Sequence, residues 1–312
     1  MRNPDTLPTT PVLHSCRQSR GRRIDVELAH PVVTARERDE FTTQLLGQLS
    51  REKYQDTVDT LTAPPTRHST RPEFTATLSA AADVFTSLGY TVTRQPFSIP
   101  GGGDTVNCIA DRRGSSSGER GLTLITAHLD SVNRGGAALP APGADDNASG
   151  SAGVLELARV LSTETWSGDL RLILFGGEEQ GLLGSIHHVR QLDPHDRARI
   201  TAVINMDMIA RRNTADPGVM VEGGEPSRDL IDELVVAAAT WTDLAVTTSL
   251  NPFASDHVPF IDAGLPAVLT IEADDSANTD VHTEHDVVAK LDPDLAIEIL
   301  RMNLAVAAGH LR

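Results

Sequence analysis

Cysteine is nearly absent from this 312-residue chain: only Cys16 and Cys108 occur, far apart. Two isolated thiols make no disulfide framework, which sets aside the small stapled scaffolds of oxidising compartments. No apolar run approaches the ~18 residues needed to span a bilayer. Residues 1–23, MRNPDTLPTTPVLHSCRQSRGRR, have no apolar stretch and no small-residue cleavage site, so they do not read as a secretory signal. These absences lead to the expectation of a cytoplasmic protein. Positive charge is also scarce, with 27 Lys and Arg against 43 Asp and Glu and a formal charge of −16. Nucleic acid and anionic membrane surfaces are therefore poor partners. HExxH, CxxC and P-loop patterns are missing as well.

What remains is an ordinary globular composition, 39% apolar and 22% charged, in a chain long enough to bury a sizeable core. Residues 1–36 hold six arginines against Asp5, Asp25 and Glu27, and read as a basic, mobile or loosely docked extension. The remainder, 37–312, reads as one α/β domain. Helical spacing of Phe41, Leu45, Leu46, Leu49, Tyr54, Val58 and Leu61 predicts a helix over 37–61, with a second over 72–88 ending at Gly89. Strands are expected at 90–99 and 105–111 around a Gly101-Gly102-Gly103 turn. From residue 121 onward strands and helices alternate: strands at 122–127, 170–177, 201–206 and 267–273, helices at 147–162, 180–191, 226–241 and 292–310. Such alternation argues for an α/β three-layer sandwich around a mixed, largely parallel sheet.

In open α/β sheets functional groups gather at the carboxyl ends of strands. Here strand 122–127 runs into His128-Leu129-Asp130, strand 170–177 into Glu178-Glu179, and strand 201–206 into Asp207. Strand 267–273 leads to an acidic loop reaching His282, and GADDNASG (143–150) precedes a helix. Imidazole and carboxylate together suit zinc. Two histidines and three carboxylates exceed the needs of one tetrahedral ion, and fit two ions sharing a bridging carboxylate. Each element alone has a plainer explanation. A strand-end His is usually structural, Asp145-Asp146 reads as a helix cap, and Glu178-Glu179 reads as a solvated turn. Asp207, between Met206 and Met208, would be a costly lone charge if buried. Holding all these explanations at once is untenable. Asp130, two residues beyond His128 on the same strand face, is placed to orient an imidazole.

The motifs GADDNASG, FGGEEQGLLGS, NMDMI, SDHVPF and VHTEHD, in this order over roughly residues 55–310, resemble the two-zinc aminopeptidases, a family that includes glutamate carboxypeptidase II-like enzymes. The resemblance implies two zinc ions, with His128 and Asp207 on one, Glu179 and His282 on the other, and Asp146 bridging. Asp145 is the alternative bridge if the motif is offset by one. Glu178 would be the general base, passing a proton from water to the leaving amine. Asp130 and Asp286 would orient the ligands. In relatives the bond after the bridging aspartate is often cis, here Asp146–Asn147. Some relatives carry a tyrosine immediately before the last histidine ligand to stabilise an oxyanion; this chain has Val281 there.

The expected activity is removal of an N-terminal residue from a peptide or amino-acyl substrate. Carboxypeptidase or N-acyl amino acid amidohydrolase action would need a cation for the substrate carboxylate, for which Arg211 and Arg212 are the candidates. A glutaminyl cyclase is also similar but uses one zinc. A non-catalytic peptide-binding protein on the same scaffold is a different class, opposed by the complete ligand set and Glu178. Gly114–Gly118 formally matches GxSxG but lacks the flanking strand and helix of a nucleophile elbow. His187-His188 read as packing or surface residues, His257 as pocket lining or part of a helix start, and His285 as a neighbour of the site. His14, His30, His195 and His310 have no convergent context.

Overall fold

Residues 28–312 are described by the structure, a computed structural model. Eight strands form one mixed sheet: β1 (Thr91–Ile99), β2 (Gly103–Arg112), β3 (Leu122–His128), β4 (Asp169–Phe175), β5 (Ile200–Met206), β6 (Gly218–Gly223), β7 (Ala245–Ser249) and β8 (Ala267–Glu272). Their spatial order is β1-β2-β4-β3-β5-β8-β6-β7. The central run β4-β3-β5-β8 is parallel throughout, and antiparallel pairings occur only toward the two sides. The expected mixed, largely parallel sheet is what the chain forms.

Nine α-helices lie among the described residues: α1 (Glu40–Leu46), α2 (Arg51–Thr62), α3 (Pro72–Ser87), α4 (Gly150–Leu161), α5 (Leu183–Gln191), α6 (Pro194–Arg199), α7 (Arg228–Trp241), α8 (His257–Asp262) and α9 (Pro293–Leu311). Because successive strand residues point to opposite faces, Leu122 and Leu124 of β3 join one apolar cluster while Ile125 and Ala127 join another. The larger cluster packs under α1–α4, α7 and α9, the smaller under α5 and α8. Every residue of β3 is buried, as a strand covered on both faces requires.

The single helix expected over 37–61 is two. Gly47 ends α1, and the Ser50 side chain accepts the Lys53 N–H to start α2. A local cap here overrides the continuous apolar spacing. Strands β6 and β7 and helix α6 are additional to the elements expected from the sequence pattern.

Of the basic extension expected over 1–36, residues 1–27 lie outside the described residues, together with Cys16 and His14. Ala29 exchanges two backbone hydrogen bonds with Thr248 (3.0 and 2.9 Å), and the Arg36 N–H donates to Thr240 Oγ1. Cys108 is free and buried, and burial pushes its thiol up to about 11. No helix among the described residues is long and apolar enough to cross a membrane.

Candidate metal centre

Four parallel strands deliver their carboxyl ends to one edge, and the ionisable residues follow from that. His128 is the last residue of β3 and Asp207 is the first after β5. Glu178 and Glu179 lie in the turn after β4, which Gly177 opens with φ +71°. His282 comes from the long loop beyond β8. Asp146 sits in a π-type turn, Ala144–Ser149, immediately before α4, and its bond to Asn147 is cis.

These side chains converge as two triads with one member in common: His128, Asp146 and Asp207, and Asp146, Glu179 and His282. Within each triad the potential ligand atoms lie within 4.8 Å of one another. The shared Asp146 turns one oxygen to each histidine, Oδ1 at 3.3 Å from His128 Nε2 and Oδ2 at 2.9 Å from His282 Nε2. His128 Nε2 is 3.2 Å from Asp207 Oδ1, and His282 Nε2 is 2.9 Å from Glu179 Oε2. Glu178 belongs to neither triad; its Oε2 stands 4.0 Å from His128 Nε2. Asp145 faces elsewhere. Its carboxylate accepts the Ala210 N–H and the Asn278 amide, both away from the cluster.

Hydrogen bonds behind the cluster set its shape. The Asp130 main-chain carbonyl lies 3.1 Å from His128 Nδ1, whereas its carboxylate stays 3.7 Å away. That carboxylate instead accepts the Ser69 hydroxyl (2.8 Å) and the N–H groups of Glu178 and Glu179 (both 3.3 Å). Ser255 donates to Asp207 Oδ2 at 2.6 Å and receives the Asn205 amide. Asp286 accepts the N–H groups of Asp145 and Asp146 (2.9 and 3.0 Å). The Asn147 side chain spans Met206 O, Met208 N and Gly150 N, which ties the Asp207 segment to the start of α4. No local pattern marks Ser69, Asn147 or Ser255 as supports of this cluster. Their hydrogen bonds reach groups far away in sequence, Ser255 to the Asp207 and Asn205 side chains, Ser69 to Asp130 and Gly177, and Asn147 to main-chain atoms, and such partners leave no periodic trace.

Crowding of carboxylates distorts their titration. Burial pushes the Glu178 carboxyl well above its ordinary range; the His128 charge opposes this, and Asp207, Glu179 and Asp256 reinforce it. Burial also lifts Glu179 to about 7, against the pull of His282. Asp146 goes the other way, because hydrogen bonds from His128 and His282 outweigh its burial. His128 is raised despite burial by the charges of Asp207 and Glu178.

The donor set fits divalent metal ions. Imidazole and carboxylate are suitable ligands, and each triad leaves room in a tetrahedral shell for water or substrate. Glu179 Oε1 is buried with no hydrogen-bond partner, an acceptor that a cation would satisfy.

The remaining sequence candidates fall outside. Arg211 pairs with Asp280 (3.1 Å) and Arg212 lies 3.6 Å from Asp292. His188 is buried beside Gln95, His187 stacks on Phe97, His285 is exposed, and His257 is 3.3 Å from Glu222. Val281 is buried in an apolar cluster with Met208, Met220, Leu269 and Ile271. Ser116 of the GxSxG match is half-buried, its hydroxyl accepting the Gly118 N–H.

A parallel-centred α/β sandwich with an imidazole–carboxylate cluster at its strand ends is the scaffold of a metal-dependent hydrolase. Residues 107–307 match the profile of peptidase family M28, and the chain belongs to that family. It is 32% identical over 169 residues to an aminopeptidase of Pseudomonas aeruginosa, covering 52% of this chain and 30% of that protein. With leucine aminopeptidase 1 of Neurospora crassa it shares 30% identity over 288 residues, 84% of this chain and 69% of the relative. The chain thus spans about a third to a half of the length of the first curated relatives it matches, and 69% of leucine aminopeptidase 1. Among solved structures, a zinc aminopeptidase from Bacillus subtilis superposes with a TM-score of 0.75 at 17% identity, over 83% of this chain and 94% of that one. A glutaminyl cyclase from Bacteroides thetaiotaomicron superposes at 0.69 and 20% identity, over 84% and 98%. The fold alone therefore serves both chemistries.

Proposed function

We propose that this chain is a zinc-dependent aminopeptidase, with residues 37–312 as one catalytic domain. His128, Asp146 and Asp207 would hold one ion, and Asp146, Glu179 and His282 a second. The observation that carries the reading is the sharing of Asp146 by both triads, one oxygen facing each histidine. Ions bound there would supply Lewis acidity toward the scissile carbonyl and make the attacking water more acidic. Glu178, beside the cluster but outside both triads, accepts the proton of that water and returns it to the leaving amine nitrogen. Asp130 fixes the Glu178 main chain and the tautomer of His128. Val281, buried and apolar, offers no hydrogen bond to a developing oxyanion.

Direction follows from charge. The cluster's carboxylates favour a substrate ammonium, while Arg211 and Arg212 have carboxylate neighbours of their own and are poorly placed to grip a substrate carboxylate. An unblocked peptide is therefore cleaved at least ~100-fold faster than its N-acetylated form. Equal rates would remove the aminopeptidase reading. The apolar group of Met208, Met220, Leu269, Ile271 and Val281, in which Met208 follows Asp207 and Val281 precedes His282, supports a bulky apolar N-terminal residue. Leucyl substrates are expected to exceed glutamyl ones by ~10-fold or more in kcat/KM. Metal analysis separates this reading from a cyclase: two ions per chain are expected, and one would favour cyclase chemistry. The absence of a disulfide framework supports a cytoplasmic location, which cell fractionation tests.

A further inference from the structure

The segment between α2 and α3 lies ahead of the residues matching the family profile, yet it reaches three of the five segments that supply the site, those of His128, Asp146 and Glu178-Glu179. Arg67 is the largest fully buried side chain among the described residues. Its guanidinium donates only to main-chain carbonyls: Nε to Leu129 O (2.8 Å), Nη1 to Leu61 O (3.2 Å) and to Pro142 O, and Nη2 to Gly143 O (2.8 Å). Leu129 stands between His128 and Asp130. Gly143 opens the turn that presents Asp146, with φ +54°, and a Cβ there would meet Asp146 O at 2.4 Å and Arg67 Nη2 at 3.0 Å. The Arg67 main chain adds its N–H to Ser131 Oγ (3.0 Å), and Ser131 donates onward to Ala141 O. Two residues later, Ser69 Oγ donates to Asp130 Oδ2 (2.8 Å) and accepts the Gly177 N–H (2.7 Å). Through Asp130 this hydroxyl also reaches the N–H groups of Glu178 and Glu179.

A guanidinium buried among carbonyls is costly in a dry interior. Burial lowers its pKa to about 10, and Asp286, Asp130, Asp146 and Glu179 all pull the other way. It therefore remains a cation at neutral pH, fixed behind a crowd of carboxylates. A planar fork reaching carbonyls of three separate segments is a task for Arg that the point charge of Lys does not perform.

We infer that Thr66–Ser69 is a clamp for the metal centre, with Arg67 and Ser69 as positioning residues that hold His128, Asp146 and the Glu178–Glu179 turn in mutual register. The inference rests on the metal-site reading above. Its test uses the full chain as wild type, Arg67→Lys, Arg67→Gln and Ser69→Ala. Zinc affinity is measured by competition with a chromophoric chelator, beside the melting temperature of each metal-free protein and kcat and KM.

Loss of an orienting partner weakens metal binding by roughly 10–100-fold, and that range is expected for both Arg67 variants, with Lys giving no rescue. Ser69→Ala, a small deletion expected to fold, is predicted to weaken zinc by ~10-fold. It should also lower kcat with KM little changed, because it loosens the main chain of Glu178. Zinc affinity unchanged in Ser69→Ala, or in a folded Arg67 variant, overturns the clamp. So does recovery of wild-type affinity in Arg67→Lys. If the Arg67 variants do not fold, Ser69→Ala decides. Failure of the wild type to bind zinc would instead overturn the metal-site reading itself.

Discussion

Glu178→Gln is expected to lower kcat by about 10²–10⁴-fold, the range a positioned general base contributes, while the protein keeps its full metal content. Gln preserves the size of the side chain and removes only its capacity to take a proton. Glu178 lies outside both triads, and its N–H is held by Asp130 whatever its side chain becomes. KM should shift only a few-fold, since an interaction confined to the transition state changes kcat and kcat/KM together. Glu179→Gln provides the contrast. Glu179 lies within the triad of Asp146 and His282, at 2.9 Å from His282 Nε2. Replacing it weakens metal binding first and loses turnover as a consequence. The measurement is metal content by elemental analysis beside steady-state kinetics. Full turnover in metal-loaded Glu178→Gln would remove Glu178 from the mechanism. Metal loss in Glu178→Gln with normal metal content in Glu179→Gln would mean the two roles are exchanged.

The adjacency of those two glutamates shows what is legible in a sequence of this kind. Alternating apolar strands and amphipathic helices announce the α/β sandwich, and the strand-end rule nominates His128, Glu178, Glu179 and Asp207 without any geometry. Asp145 and Asp146 are indistinguishable by composition. Three dimensions separate them, because Asp145 is spent on Ala210 and Asn278 while Asp146 faces both histidines. Strand β6, GVMVEG, carries two glycines and a buried Glu222, so it gives a weak strand signal even though every residue in it is buried. The break at Gly47–Ser50 is hidden because the apolar spacing continues across it. Arg67 reads on sequence as a loop residue after Pro64-Pro65. What makes it central is a set of carbonyls contributed by residues 61, 129, 142 and 143. Such partners are fixed by the fold and invisible to any local pattern.

The metal-free protein is expected to be more stable near pH 6 than near pH 8, and zinc should stabilise it more at pH 8 than at pH 6. Burial holds Glu178 well above its ordinary range, Glu179 and Asp256 at about 7, and Asp145 at about 8. The same carboxyls ionise near 4 in an unfolded chain. Between those limits the folded protein keeps protons that the unfolded chain has released, so stability falls as pH rises through the window. His128, raised by Asp207 and Glu178, adds to the same trend, since its contribution is complete below about 6.5 and is lost as pH climbs through its folded value. Asp146 is lowered, and its opposing contribution is lost only on acidification below the ordinary carboxyl range. Divalent metal changes the balance because it requires the deprotonated ligands, so its affinity grows with pH. At a free concentration ~1,000 times Kd the added stability is about 4 kcal/mol, and at a fixed zinc concentration this increment should be larger at pH 8 than at pH 6. Thermal melts in a chelator and in excess zinc, at both pH values, read the two effects separately. A metal-free melting temperature that rises from pH 6 to pH 8 would contradict the carboxylate crowding. An equal zinc increment at both values would mean that the ligands are already ionised before the metal arrives, so that the crowding around Glu179 is relieved by the fold and not by the ion.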